Sequence, residues 1–512
     1  MQGLDFEPLE NIKSLAMVRS RAVVGVDALP VMVEVHLANG LPSFSTVGMP
    51  ETAVKESKDR VRGAILNSGF EFPAKRITVN LAPADLPKTG GRFDLPIAIG
   101  ILMASGQLPG ANIANIELIG ELALNGALRK VSGVLPTALA CGQAGSELVV
   151  PSDNAQEASL AEQTSIRHAN HLLQVCKQLV GQGEMALCSS KLEHDEISTS
   201  LDIADVKGQP QAKRAIEIAA SGGHSMIFIG PPGTGKSMLA SRLPGILPEL
   251  NQHEALATAA IQSVAFGEFD VSSWKRRPFR SPHHSSSSAA LVGGGSVPKP
   301  GEISMAHNGV LFLDELTEFS RVALEQLREP IESGEIHIAR ASRAVTYPAN
   351  FMLIAACNPC VCGFLGDTTD RCRCSAASIE KYRAKLSGPM LDRIDIHLFL
   401  PRIDMEILQR KNTESETSEA IRERVVRSRD RQRARQAKLN SQLSSREIES
   451  HCELSDEHLN FLARVCEKLN MSARAYHRVL RLARTIADMG GETLINKNHL
   501  LEAISFRNLD RQ

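Results

Sequence analysis

The chain has 512 residues, 43% of them apolar and 22% charged, which excludes a mostly disordered, collagenous or low-complexity protein. Fifty-seven Lys and Arg stand against 58 Asp and Glu, a formal net charge of -1, so bulk charge points to neither a nucleic-acid nor a membrane partner. Aromatic residues make up only 4%, with one Trp and three Tyr, which argues against an aromatic stacking platform. At roughly 100–200 residues per domain, the length suggests three domains, or four. The opening MQGLDFEPLENIK lacks a basic stretch followed by an apolar one, and no window reaches about 18 uninterrupted apolar residues. The expectation is a soluble, cytoplasmic protein with no membrane partner.

Three regions separate along the chain. In residues 14–180, VMVEVHL (31–37), RITVNLA (76–82) and ELVV (147–150) read as strands. ETAVKESKDRVRGAILNSG (51–69) reads as an amphipathic helix ending at Gly69, and DLPIAIGILMASG (94–106) as a buried helix. Residues 181–204 are polar and read as a linker. From 205 to 402 the pattern alternates strand and helix, with apolar strands at 225–229, 310–313 and 351–356. Beyond 405 it is helical, and residues 421–440 carry eight Lys/Arg against two acidic residues. That basic segment either follows a nucleic acid or is a solvated interdomain helix.

SMIFIGPPGTGKSMLASRL (225–243) is a strand, a glycine-rich turn and a helix, the context that GxxxxGK[ST] requires. The loop Gly230, Pro231, Pro232, Gly233, Thr234 and Gly235 lets backbone N–H groups turn toward phosphate, and the helix adds its positive end. Lys236 then reaches the β- and γ-phosphates of ATP, and the Ser237 hydroxyl holds Mg2+. GVLFLDEL (309–316) supplies a buried strand with Asp314 and Glu315 at its carboxyl end, where α/β sheets bind ligands. Asp314 suits the metal's shell, and Glu315 suits a carboxylate that orients or deprotonates the attacking water. The bland reading of the pair is a solvated acidic turn. FMLIAACNP (351–359) ends in Asn358, which either senses the γ-phosphate or makes a turn before Pro359.

With these motifs in place, the chain resembles a magnesium-chelatase-subunit-I-like AAA+ ATPase of the ComM/YifB family. The resemblance runs from near residue 18 to the end, through GLPSFSTVGMPETAVKESKDRVRGAI, VKGQPQAKRAIEIAASGGH, RPFRSPHHSSS, GEISMAHNGVLFLDEL, LSGPMLDRIDIHLFLPR and SARAYHRVLRLARTIAD. It implies an α/β P-loop AAA+ core with a helix-2 insert over 205–402. A Lon-protease-like α+β domain over 1–188 precedes it, then a linker over 189–204, and a helical lid over 403–512 follows. It implies Asn358 as sensor 1, Arg393 as an arginine finger entering a neighbour's site, and Arg474 as a cis arginine from the lid. Val206, Gly208 and Gln209 fall where such ATPases cradle adenine. Surface salt bridges are the alternative for both arginines.

The resemblance implies a ring, six-membered by family expectation, that moves on single-stranded and branched DNA without reading sequence and promotes branch migration. The other readings are a magnesium-chelatase motor subunit and a protein remodeller. EIHIARASRAVTYP (335–348) reads as a hairpin whose Arg340 and Arg343 grip a phosphate backbone. Lys275, Arg276, Arg277 and Arg280 form a second basic cluster. A solvated surface role is the alternative for each cluster. Adjacent His283 and His284 are poor chelators on one regular element.

A Lon-like domain raises the protease question. A Ser–Lys dyad needs a serine near LPKTGGRFDL (86–95); there is none, Arg92 falls about there, and Leu135 stands where the lysine is expected. Lys88, Thr89 and Lys130 remain unpaired by order, so the expectation is no peptidase. Lys75, Lys88 and Arg92 are candidate DNA contacts. Finally, CNPCVCGFLGDTTDRCRC holds Cys360-x-Cys362 and Cys372-x-Cys374, four thiols that either complete a tetrahedral Zn2+ site or stay free. Some relatives carry this cluster and others do not, which implies a structural or regulatory role. Cys357 reads as core.

Overall fold

The structure, a computed structural model, describes residues 14–49, 51–189, 201–295, 298–340, 343–366, 371–404, 406, 409 and 415–507. The chain divides into two compact units: Met1–His194 with Ala255–Trp274, and Asp195–Glu254 with Lys275–Gln512.

The first unit is built on a seven-stranded sheet. Its strands are β1 (Leu15–Val24), β2 (Asp27–Ala38), β3 (Ser43–Val47), β4 (Arg76–Ala82), β5 (Ile116–Leu118), β6 (Glu147–Pro151) and β7 (Ile166–Ala169), in the order β3-β4-β2-β1-β5-β6-β7. In β2, Val31, Val33, Val35 and Leu37 are buried at every second position, the period of a strand with one face on a core. The long β1 was not legible as a strand because Arg19 and Arg21 interrupt its apolar pattern. Arg21 is buried and ion-paired to Glu117 through Nε at 2.7 Å, so its charge is met inside the sheet. The helix expected over 51–69 forms as a short turn, Thr52–Lys55, followed by α1 (Ser57–Asn67). The buried helix forms as α2 (Asp94–Ala104), whose Gly100 permits close approach to the sheet: a Cβ there would lie 2.6 Å from Val35 Cγ2.

The turn at 86–95, where a protease dyad would fall, is tied into the fold by its own side chains. Lys88 is fully buried and its Nζ donates to the Pro83 carbonyl. Arg92 is 5% exposed and donates to the carbonyls of Ser132 at 2.7 Å and Arg21 at 3.3 Å, and burial pushes its guanidinium down to about 10. Leu135 lies in the core, and Lys130 pairs with Glu268 at 2.6 Å. Burial corrects Lys88 and Arg92 as DNA contacts: neither side chain reaches a surface where a backbone phosphate sits. Lys75 is exposed. Residues 255–274 belong to this unit, and Ser263 donates to the buried Glu157 carboxylate.

The second unit holds a five-stranded, all-parallel sheet of β8 (Met226–Ile229), β9 (Phe279–Arg280), β10 (Val310–Leu313), β13 (Met352–Cys357) and β14 (Ile396–Phe399), in the order β9-β10-β13-β8-β14. Between them β11 (Glu335–Arg340) and β12 (Arg343–Pro348) form the expected hairpin, with Arg340 opposite Arg343. Every residue of β8, β10 and β13 is buried, as strands covered on both faces require. Helices α3 (Pro210–Gly222), α4 (Lys236–Ile246), α5 (Ala376–Arg383), α6 (Ser418–Gln436) and α7 (Ala473–Gly490) accompany them. One continuous apolar core joins Phe228, Ile354 and Leu398 of the sheet to Val425 of α6 and Val479, Leu482 and Ile486 of α7.

The basic segment is largely consumed inside this unit. Arg424 meets Glu217 at 2.6 Å and Glu416 at 2.9 Å, and Arg435 meets Asp488 at 2.6 and 2.9 Å. Arg429, 3% exposed, gives two hydrogen bonds to the Ala220 carbonyl, and Arg433 reaches Glu254 at 3.4 Å. The two readings made from the sequence, a segment that follows nucleic acid and a solvated interdomain helix, both left out these partners within the chain. Among the described residues, no helix is long and apolar enough to cross a membrane.

Candidate functional site

The parallel register assembles the site. Ile229 pairs with Cys357 and Leu313 with Ala355, so β8, β10 and β13 run out at one edge of the sheet. Gly230, Asp314 and Asn358 are the residues that step off that edge, one from each neighbouring strand.

Gly233 and Gly235 of the loop have φ of 78° and 85°, a region L-residues rarely adopt, and the chain enters α4 at Lys236. Gly230 has no room for a side chain: a Cβ there would lie 2.5 Å from the Leu400 carbonyl. Thr234 donates to the Pro231 carbonyl at 3.0 Å and stiffens the turn, and Pro232 lies against Gly363. Lys236 Nζ donates to Gly230 O at 2.6 Å, Pro231 O at 3.0 Å and Asn358 Oδ1 at 3.3 Å. Burial pushes its ammonium down, and Asp314 works in the opposite sense.

Ser237 Oγ donates to Asp314 Oδ2 at 2.6 Å. A Mg2+ octahedron with oxygens at about 2.1 Å sets neighbouring ligands about 3 Å apart, so this hydroxyl–carboxylate pair fits two adjacent positions with a small opening. Both are hard oxygen donors. The other Asp314 oxygen accepts the Glu315 N–H at 2.9 Å. Glu315 itself has φ of 52°, a strained backbone for a non-glycine residue, which turns its side chain away from the strand direction. Its Oε2 lies 3.0 Å from His284 Nδ1. The sequence reading found no role for His284. It stands a few residues past β9, which pairs with β10, and only that pairing brings it to the carboxylate.

Val206 is buried, and Gly208 and Gln209 take left-handed φ of 64° and 55° before Pro210 starts α3. Gln209 donates to Pro401 O at 3.0 Å, and Leu400 N donates to Ile229 O at 2.7 Å, so this turn runs beside the glycine-rich loop.

Two arginines remain. Arg393 is 6% exposed and held by Pro389 O at 2.7 Å and Glu332 at 2.8 Å. Arg474 is exposed in the first turn of α7. One turn further on, Arg478 pairs with Asp395, which is 4% exposed and lies 3.1 Å from His224 Nδ1 and 3.3 Å from the Ser225 N–H. Burial pushes the Asp395 carboxyl up, but Arg478, His224 and Arg481 outweigh it and hold it well below the usual carboxylate range. His224 Nε2 lies 2.8 Å from Thr485 Oγ1, so a polar chain runs from the amino ends of β8 and β14 into α7. No local pattern announces it, because the bonded side chains are 83 to 261 residues apart.

Of the second basic cluster, Arg277 donates to Pro248 O at 2.6 Å and Asn308 O at 2.7 Å, and Arg280 pairs with Glu302 at 2.7 Å. Those two are committed inside the chain, whereas Arg276 is exposed. The side chains of Arg340 and Arg343 lie outside the described residues. Cys360, Cys362, Cys372 and Cys374 come together beyond β13, and Cys357 is buried in the strand.

Three family models match the chain: Subunit ChlI of Mg-chelatase over residues 33–154, Magnesium chelatase, subunit ChlI over 202–408, and Magnesium chelatase, subunit ChlI C-terminal over 415–507. Competence protein ComM of Haemophilus influenzae is 50% identical over 502 residues, which span 97% of this chain and 98% of that one. Uncharacterized protein YifB of Escherichia coli is 50% identical over 500 residues, again 97% and 98% of the two chains. The glycine-rich loop, the acidic strand end and a 50% identity that covers nearly the whole chain agree: the chain belongs to the ComM/YifB family of magnesium-chelatase-like AAA+ proteins.

Proposed function

We propose that this chain is a Mg2+-dependent ATP hydrolase that assembles into a ring, six-membered by family expectation, translocates on DNA and promotes branch migration, as in natural transformation. The AAA+ family supports the ATPase, and a relative named as a competence protein supports a part in competence. The observation that carries the reading is the meeting of Lys236, Ser237, Asp314, Glu315 and Asn358 at one carboxyl edge of a parallel sheet.

In this reading the loop from Gly230 to Gly235 cradles the phosphates, and Val206 and Gly208 lie along the base. Lys236 exchanges its carbonyl partners for β- and γ-phosphate oxygens. Ser237 and Asp314 hold Mg2+, which draws charge from the phosphates when bound. Glu315 takes a proton from the attacking water and Asn358 orients it. Arg393 reaches the site of an adjoining subunit, and Arg474 closes from the helical lid over 403–512. The Lon-protease-like first unit is a scaffold for the ring. Arg340, Arg343 and Arg276 face the DNA backbone.

The test is hydrolysis and strand displacement on three- and four-way junctions. Junction DNA is expected to stimulate hydrolysis, and the wild-type chain to resolve junctions while Lys236→Ala does not. Hydrolysis indifferent to DNA but raised by a protein client, with junctions untouched, overturns the reading in favour of a remodeller.

A further inference from the structure

Four sulfurs meet in the loop that follows β13. Those of Cys360, Cys362, Cys372 and Cys374 all lie within 4.8 Å of one another. Cys360 and Cys362 are 3.4 Å apart, Cys360 and Cys372 3.8 Å, and Cys362 and Cys372 3.7 Å. A disulfide needs about 2.05 Å, so these are not bonded pairs. A tetrahedral metal with bonds to sulfur of about 2.3 Å sets its ligands about 3.8 Å apart along each edge, and the observed spacings are close to that.

The backbone is shaped to hold the arrangement. Gly363 has φ of 84°, and its N–H donates to Cys360 O at 3.0 Å, which closes a tight turn around the first two thiols. The Arg371 guanidinium stacks over the Phe364 ring, 5.7 Å from its centroid, and joins the second pair's arm to the first. Cys360 is fully buried and the other three are partly buried, so access to the centre is restricted. Soft thiolate donors in a tetrahedron select Zn2+ among common divalent ions.

The loop also leans on the nucleotide site. Asn358 stands two residues before Cys360, and a Cβ on Gly363 would lie 2.9 Å from Pro232 Cδ and 3.8 Å from Asn358 Cγ. Binding releases the thiol protons to solvent, and its free energy goes into ordering the loop.

We propose that Cys360, Cys362, Cys372 and Cys374 bind one Zn2+, which clasps this loop against Pro232 and Asn358. The zinc site stands on the sulfur geometry alone; its action as a clasp rests on the nucleotide reading of Asn358.

The experiment uses the full chain purified under reducing, anaerobic conditions. About one zinc per chain is expected. Replacement by Co2+ is expected to give strong thiolate-to-cobalt charge-transfer absorption and the d–d bands of a four-sulfur tetrahedron. Cys362→Ser and Cys372→Ser, each of which removes one thiolate ligand, are expected to lose zinc in chelator competition at concentrations that leave the unmutated chain loaded. Cys188→Ser and Cys466→Ser are expected to retain it. The cobalt spectrum of the unmutated chain keeps the test independent of how the variants fold. A reduced chain that takes up neither Zn2+ nor Co2+, or that carries iron instead, overturns the site. Binding of a fluorescent ATP analogue is then compared before and after zinc removal, with metal content measured in the same samples. A several-fold loss restored by Zn2+ supports the clasp, and unchanged affinity overturns it. Zinc in the cluster with no nucleotide binding under any condition refutes the ATP site while leaving the metal site standing.

Discussion

Replacing Asp395 by Ala isolates the polar chain that joins the amino ends of β8 and β14 to the C-terminal helices. The carboxylate is 4% exposed and serves Arg478, His224 and the Ser225 N–H. Truncation leaves a guanidinium without its partner in a buried setting, a change that costs about 3–5 kcal/mol. The lost bond from the Ser225 N–H falls within that range, since a hydrogen bond to a charged group is worth about 1.5–3 kcal/mol. Urea unfolding followed by circular dichroism is the assay. With a slope of about 3 kcal/mol/M, the midpoint is expected to fall by about 1–1.7 M. Asp395→Asn keeps one acceptor oxygen and is expected to lose less. The sign with pH is set by a folded pKa below the unfolded one. The contribution is complete above about pH 4 and is lost only as the pH falls further. A midpoint for Asp395→Ala within about 0.3 M of the unmutated chain at neutral pH refutes the reasoning.

Glu315→Gln is expected to bind ATP and Mg2+ normally while kcat falls by about 10²–10⁴; single-turnover hydrolysis checks it. Lys236→Ala and Arg393→Ala are each expected to be inactive alone, but mixed rings should regain hydrolysis where an intact loop meets an intact finger, read by titrating one variant into the other. Arg276→Ala is expected to lower the salt dependence of DNA binding by about one unit of slope, whereas Arg277→Ala, whose side chain is engaged with Pro248 and Asn308, leaves the slope alone and lowers stability, measured by fluorescence anisotropy and melting. Burial holds the His397 imidazole down to about 3 and that of His307 down to about 4. A lowered folded pKa means stability complete above the unfolded value near 6.5 and lost as the pH falls from there toward 3–4. Each histidine steepens that loss by roughly 1.4 kcal/mol per pH unit, and His397→Gln is expected to flatten the acid limb of a urea midpoint against pH.

What could be read from the sequence was local. The loop from Gly230 to Ser237 declares itself because all its parts lie within eight residues, and the strand ending at Asp314 is marked by its apolar run and the acidic pair behind it. The hairpin around residues 335–348 followed from period-two alternation. Pairing across the sheet was not legible, and it is pairing that carries His284 to Glu315 and Asp395 to Arg478. Charge was misleading for the same reason. A run of arginines looks alike whether its partners are solvent, phosphate or the carbonyl of Ala220, and only the packing of α6 on α3 decides which. In the first unit, Arg21 hid a strand because its partner Glu117 is 96 positions away.

The segment 255–274 gives the polypeptide a threaded connectivity. A protease nick or an engineered truncation near residue 190 leaves behind Ser263 and Glu268, which satisfy Glu157 and Lys130. An excised fragment ending there would keep the Leu135 N–H on Glu157 but lose the Ser263 hydroxyl, and would uncover a carboxylate that is only 4% exposed in the intact chain. Transplanting either unit into another protein therefore demands two matched splice points rather than one.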